Sequence, residues 1–168
     1  MVSDIAYAAM QYARIVHRSQ KRKYTGNPYV DHLAEVAGIV ATVSTEPLHI
    51  AVAWLHDCVE DQGVTYVFLV EQFGYDVANG VALLSDMEEG NRATRKRLSR
   101  ERLASAPDWI QTIKCADLIS NTSSIVKHDP TFAKVYLEEK RLLLGAMEDA
   151  DDRLWNLAWD MTDPANLD

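Results

Sequence analysis

Residues 47–63 read PLHIAVAWLHDCVEDQG, an apolar run that stops at a histidine and three carboxylates before a glycine. Proline stands where a first helical turn has no N–H to lose, and the apolar run marks a core helix. The stretch therefore predicts one buried helix, capped by Thr45 and ended before Gly63. At 3.6 residues per turn, His56 lies under Glu60 and Asp57 under Asp61. Three carboxylates at a helix C-terminus oppose its dipole. Two readings stand at this point. The stretch is either a solvated, charge-decorated helix end or a site built for a divalent cation and a water, and a cation would reverse the electrostatic misfit.

Helical spacing continues on both sides. Ile5, Ala6, Ala9, Ala13 and Val16 predict a first helix over about 3–18. The polar loop RSQKRKYTGNP follows, with Gly26 and Pro28 as turn signals. In YVDHLAEVAGIVATV, the residues Val30, Leu33, Val36, Ala37 and Val40 make a second helix. Shorter helices fit about 65–73 and 75–84. Ser105 with Pro107 and Asp129 with Pro130 repeat the cap-plus-proline start, opening helices near 107–126 and 130–147. EDADDRLWNLAWDM closes the series as an amphipathic helix with a favourably acidic start. Period-two alternation, internal repeats and low-complexity segments are all missing from the sequence. The expectation is a single all-α domain over residues 1–168, with about seven to nine helices.

A chain of 168 residues suits one domain, and 48% hydrophobic residues argue against disorder. IAVAWL and LLLGAM are the longest apolar runs, far short of the roughly 20 residues that span a bilayer. MVSDIAYAAMQYARIVH lacks the basic start and unbroken apolar stretch of a signal peptide. Cys58 and Cys115 form no CxxC and read as small buried thiols, so a reducing cytoplasm is the expected location. A net charge of -8 disfavours nucleic acid as a partner, and no membrane partner is expected. Any anionic ligand must be held locally, by a basic cluster or a metal.

Further residues qualify for such a site. His32 lies on a helix whose other face is apolar, and it reads either as a partly buried structural histidine or as a ligand. Lys114, Asp117, Asn121 and Ser124 recur at three, four and three, one polar stripe on an otherwise apolar helix. That stripe faces either a ligand or solvent, and a buried Asp117 would need a partner.

Taken together, H…HD…D with HDxxED and a later ADLxxN resembles the HD superfamily of metal-dependent phosphohydrolases. Within it, the chain resembles the (p)ppGpp hydrolase domain of RelA/SpoT homologues, above all the stand-alone small alarmone hydrolases. The resemblance covers about residues 5–145, with a C-terminal helix running on to about 160, and rests on HRSQKRKYTGNPYVDHLAEVA, AWLHDCVEDQGVTYVFLVEQFG and IKCADLISNTSSI in that order.

The resemblance implies an all-helical HD fold and four metal ligands, His32, His56, Asp57 and Asp117. It implies Mn²⁺ as the cofactor, although two imidazoles and two carboxylates also suit Fe²⁺, Co²⁺ or Zn²⁺. Glu60 and Asp61 match the acidic pair that activates the attacking water, and Asn121 and Ser124 match nucleotide contacts. Ser123 stands where the family's hydrolases often carry an arginine. Arg22 and Lys23 compete for the family's base and phosphate contacts, with Lys114, Arg92 and Arg95 as further substrate candidates. The rest of NRATRKRLSRER forms a solvated face paired with Glu88, Glu89 and Glu101. His17 is assigned a structural or supporting role, while His49 and His128 carry no assignment.

The implied reaction is hydrolysis of the 3′-pyrophosphate of (p)ppGpp to GDP or GTP and pyrophosphate by a metal-activated water. The implied partner is a guanine nucleotide, with a homodimer as a further expectation and no synthetase domain. Two alternatives keep their place: an HD phosphohydrolase acting on NADPH or a nucleoside monophosphate, and a catalytically slow nucleotide-sensing module.

Overall fold

The computed structural model describes residues 2–167, which fall into two units divided between Met87 and Glu88. Among the described residues the regular structure is helical, with one isolated antiparallel bridge between Lys21 and Pro28. The all-α expectation holds.

The first unit contains α1 (Val2–Val16), α2 (Val30–Ala41), α3 (Pro47–Leu55), α4 (Cys58–Gln62), α5 (Tyr66–Phe73) and α6 (Tyr75–Leu84). Its central element is α3, which packs against α1, α2 and α6. Ala51, Val52, Ala53 and Leu55 of α3 are fully buried, as a helix apolar on all sides must be. Alanine on both sides of the α1–α3 contact, with Ala9 and Ala13 also fully buried, lets the backbones approach closely. Leu33, Leu55 and Leu69 add about 1.5–3 kcal/mol each by leaving water.

The helix predicted from Thr45 to Gln62 divides in two. α3 ends at Leu55, Asp57 is the N-cap residue of α4, and Glu60 and Asp61 lie in that helix's first turn. His56 Nδ1 sits 2.7 Å from Ala53 O, the carbonyl that an uninterrupted helix would offer to the Asp57 N–H. The electrostatic setting therefore changes. Asp57 stands at the N-cap of a new one-turn helix, where a carboxylate is favoured, instead of inside the last turns of a long one. Gly63 closes α4 in the left-handed conformation at φ 65°, a position that suits glycine.

The second unit contains α7 (Arg92–Ala104), α8 (Asp108–His128), α9 (Pro130–Ala146), α10 (Asp152–Met161) and a 3₁₀ turn over Pro164–Leu167. Here α8 is central and touches α7, α9 and α10. Its buried Gln111 donates to Leu103 O at 3.0 Å and accepts from Asp149 N at 2.9 Å, so the amide fastens the end of α7 and the loop between α9 and α10. Asp129 caps α9 as expected, accepting from Phe132 N at 3.1 Å. The other two predicted caps are reassigned. Glu46 occupies the N-cap of α3, with Ser44 Oγ accepting from its N–H, and Ser105 closes α7 instead of opening α8. Short polar residues serve both helix ends, so proline spacing alone could not separate the two roles. No helix among the described residues is long and apolar enough to cross a membrane.

Candidate active site

In the first unit, α2 delivers His32 and the α3–α4 joint delivers His56 and Asp57. Both imidazoles are buried, at 1% and 2% exposure. His56 Nε2 lies 3.0 Å from Asp57 Oδ2, and His32 Nε2 lies 3.5 Å from the same oxygen. Ligand atoms of all three residues fall within 4.8 Å of one another.

Tautomer chemistry says what this triad suits. A carbonyl only accepts, so His56 carries its proton on Nδ1 toward Ala53 O and turns the Nε2 lone pair toward Asp57. A lone pair facing a carboxylate at 3.0 Å is repulsive until a proton or a metal cation comes between them. Two ligands at right angles on a metal with bonds of about 2.1 Å would be about 3.0 Å apart, which fits this spacing. The donor set is nitrogen and oxygen without thiolate. Cys58 is fully buried, and burial followed by the Asp57 charge pushes its thiol up to about 12, so it brings no thiolate to the site. The triad fits a divalent metal.

Around it lies a layer of hydrogen bonds that sequence reasoning missed. Tyr29 Oη donates to Asp57 Oδ2 at 2.6 Å, and its ring stacks on His17 at 5.5 Å between centroids. Gln20 Nε2 donates to Asp61 Oδ2 at 2.9 Å, and Glu60 accepts from the backbone N–H of Asp86. Tyr29 carried a weak signal, since it precedes His32 by three residues and shares its side of the helix start. Gln20 carried none, being 41 residues from its partner.

The basic loop is closed by Arg22 N to Asn27 O at 2.8 Å and Tyr29 N to Gln20 O at 2.9 Å. Its two candidate cations rest on aromatic faces, Arg22 at 6.0 Å from the Tyr29 ring and Lys23 at 5.0 Å from the Tyr24 ring.

In the second unit, the stripe on α8 is real. Lys114 Nζ lies 2.8 Å from Asp117 Oδ2, and Asn121 Nδ2 donates to Asp117 Oδ1 at 2.9 Å. Asp117 is buried and Ser124 half-buried. Arg92 forks onto Glu139 with bonds of 2.7 and 2.8 Å and lies over the Phe132 ring, while Arg95 is exposed on α7. The expected acid pairing of α7 holds for Glu88, which meets Arg102, and for Glu101, which meets Arg97.

A sequence profile described as HD domain matches residues 9–110. The chain belongs to the HD domain family. That match runs from the middle of α1 through α7 to the first turn of α8, so the HD pair of this HD domain, His56–Asp57, lies inside it and Asp117 beyond it.

The HD domain is 34% identical over 126 residues to a Drosophila melanogaster protein, guanosine-3′,5′-bis(diphosphate) 3′-pyrophosphohydrolase MESH1, covering 73% of this chain and 70% of that protein. It is 35% identical over 122 residues to a probable GTP pyrophosphokinase of Mycobacterium leprae, covering 70% of this chain and 15% of the larger protein. Among solved structures, a metazoan orthologue of SpoT that hydrolyses ppGpp matches it with a TM-score of 0.88 at 26% identity, over 97% of this chain and 96% of the other.

Proposed function

We propose that this HD domain hydrolyses the 3′-pyrophosphate of guanosine-3′,5′-bis(diphosphate), giving GDP and pyrophosphate, and treats the pentaphosphate likewise to give GTP. The observation that carries the reading is the His32–His56–Asp57 triad with Glu60 and Asp61 on the next helical turn, in a chain of the same fold as a ppGpp hydrolase. The full ligand set in this reading is His32, His56, Asp57 and Asp117, with Mn²⁺ as the metal. Support comes from the HD motif order and from the nitrogen–oxygen donor set. We read both units as parts of one HD-type domain, since the family profile takes in helices of each.

A divalent cation bound there would lower the pKa of a water and place positive charge against a phosphoryl oxygen. The protein's own groups do the rest in this mechanism. Glu60 and Asp61 hold the attacking water by its hydrogens and accept the proton it loses. The water oxygen joins the phosphorus on the ribose 3′ oxygen, the bond between those two atoms breaks, and the 3′ oxygen ends protonated. Arg22 and Lys23 are proposed for the guanine ring and the phosphates, where a planar guanidinium stacks and an ammonium acts as a point charge. Asn121 and Ser124 complete the nucleotide contacts, with Lys114, Arg92 and Arg95 as further cations of the second unit.

The test is release of pyrophosphate from ppGpp by purified protein with Mn²⁺. Wild type should turn over, and Glu60→Gln should be slower by about 10²–10⁴-fold, the worth of a positioned proton acceptor. Equal release by the two forms, at the level of buffer alone, overturns the proposal.

A further inference from the structure

Asp61 is exposed on the single turn of the five-residue helix α4, one residue before its end. Its direction comes from outside. Gln20 Nε2 donates to Asp61 Oδ2 at 2.9 Å, across 41 residues of chain. The Gln20 carbonyl oxygen meanwhile accepts from Gln62 Nε2 at 2.8 Å and lies 2.7 Å from His17 Nδ1. The amide could in principle be turned round, but an ionised carboxylate only accepts, so Nε2 must face Asp61 and Oε1 the other two groups. Once that is set, His17 must carry its proton on Nδ1.

Gln20 is itself immobilised. Its backbone carbonyl accepts from Tyr29 N at 2.9 Å and its N–H donates to His17 O at 3.0 Å, so the loop closure holds it at both ends. His17 is 1% exposed, and its Nε2 is buried without a hydrogen-bond partner. A buried lone pair left unpaired is costly, and a phenylalanine would stack on Tyr29 without that penalty. The imidazole is explained by what Nδ1 does for Gln20.

We propose that Gln20, braced by His17, is a positioning residue for the reaction: it aims the Asp61 carboxylate at the water whose proton that carboxylate takes. The proposal rests on the assignment of Asp61 as a proton acceptor. Gln20 touches neither metal nor substrate in this scheme and acts only through Asp61.

The experiment compares Gln20→Met, which keeps the volume and loses the hydrogen bonds, with Gln20→Glu, which keeps the acceptor and sets an oxygen against Asp61. Each is made in wild type and in Asp61→Asn. Turnover with Mn²⁺ is read on ppGpp and on bis(4-nitrophenyl) phosphate, a diester whose hydrolysis reports the activated water whatever the natural nucleotide. Mn²⁺ affinity is read by calorimetry and folding by the thermal midpoint.

Both Gln20 variants should lose about 10–100-fold in kcat, the usual worth of an orienting hydrogen bond, with KM and Mn²⁺ affinity within about 3-fold of wild type. In the Asp61→Asn background the same substitutions should change kcat by less than about 3-fold, because residues acting as a unit are not additive. Unchanged kcat in a folded Gln20 variant overturns the proposal, and so does a full loss persisting without Asp61. Wild type that cleaves the diester but not ppGpp would overturn the nucleotide assignment and leave the Gln20 comparison readable. Wild type that cleaves neither would overturn both.

Discussion

Replacing Lys114 with methionine isolates the energetics of the α8 stripe. Lys114 Nζ and Asp117 Oδ2 are 2.8 Å apart, with side chains only 12% and 7% exposed. At an effective dielectric of 20, two unit charges at that distance attract by about 6 kcal/mol, much of which repays the cost of taking both from water. Removing the cation alone leaves the carboxylate in a place water barely reaches, which typically costs about 3–5 kcal/mol. Asn121 still donates to the other carboxylate oxygen, so the lower end, about 3 kcal/mol, is expected. In a domain of this size that is a fall of roughly 6–12 °C in the unfolding midpoint.

The assay is thermal and urea unfolding in a chelator. A double substitution, Lys114→Met with Asp117→Leu, removes both charges together and should recover about 2 kcal/mol of the loss, since a matched apolar pair is often as stable as a buried ion pair. If Asp117 is a metal ligand, as proposed, saturating Mn²⁺ should shrink the single variant's deficit by supplying the missing positive charge. A single variant within about 0.5 kcal/mol of wild type would refute the reasoning, because that is the range of substitutions at ordinary surface positions. A double variant less stable than the single would refute it too.

Tyr29→Phe keeps the ring that stacks on His17 and removes the hydroxyl that holds Asp57 at 2.6 Å, so Mn²⁺ affinity measured by calorimetry should fall about 10-fold with the fold intact. Burial raises the Glu139 carboxyl, but the Arg92 hydrogen bond and the Arg92, Lys96 and Lys140 charges outweigh it and hold the group below its usual range. A depressed carboxyl contributes stability above its unfolded pKa and loses it as pH falls through the folded value, so the stability gap between wild type and Glu139→Gln should narrow as pH falls from neutral through the usual carboxylate range and below it.

The sequence made the helices legible because their apolar spacing is local information. Val30, Leu33, Val36, Ala37 and Val40 fall on one face whatever the rest of the chain does, and α2 formed where that spacing put it. The α8 stripe was legible on the same ground, since residues three and four apart meet on a helix by construction. Lys114, Asp117 and Asn121 accordingly bond to one another. The helix ends were less legible. Ser105 and Asp129 each precede a proline, but Ser105 closes the helix behind it and Asp129 opens the one ahead, a choice made by neighbouring backbone. Gln20 was not legible as part of the site at all, and Tyr29 only faintly. Their partners lie 41 and 28 residues away, and only the folded chain joins them.

The break inside HDCVED shows how much one backbone joint can decide. Continued as a single helix, the stretch would set His56 and Asp57 on directions about 100° apart and put three carboxylates against the helix dipole. Ending α3 at Leu55 lets the His56 ring donate to Ala53 O, which fixes its tautomer and points Nε2 at Asp57. Restarting as α4 puts Asp57 at an N-cap and Glu60 and Asp61 on the single turn that follows. Glu60 is then held by the Asp86 N–H and Asp61 by Gln20, so the two carboxylates take their directions from different parts of the first unit. The proposed ligand and proton-acceptor roles thus fall on separate stretches of the six residues because the helix stops between His56 and Cys58. A substitution that healed the joint into continuous helix would leave every one of those side chains present and remove the arrangement that makes them useful.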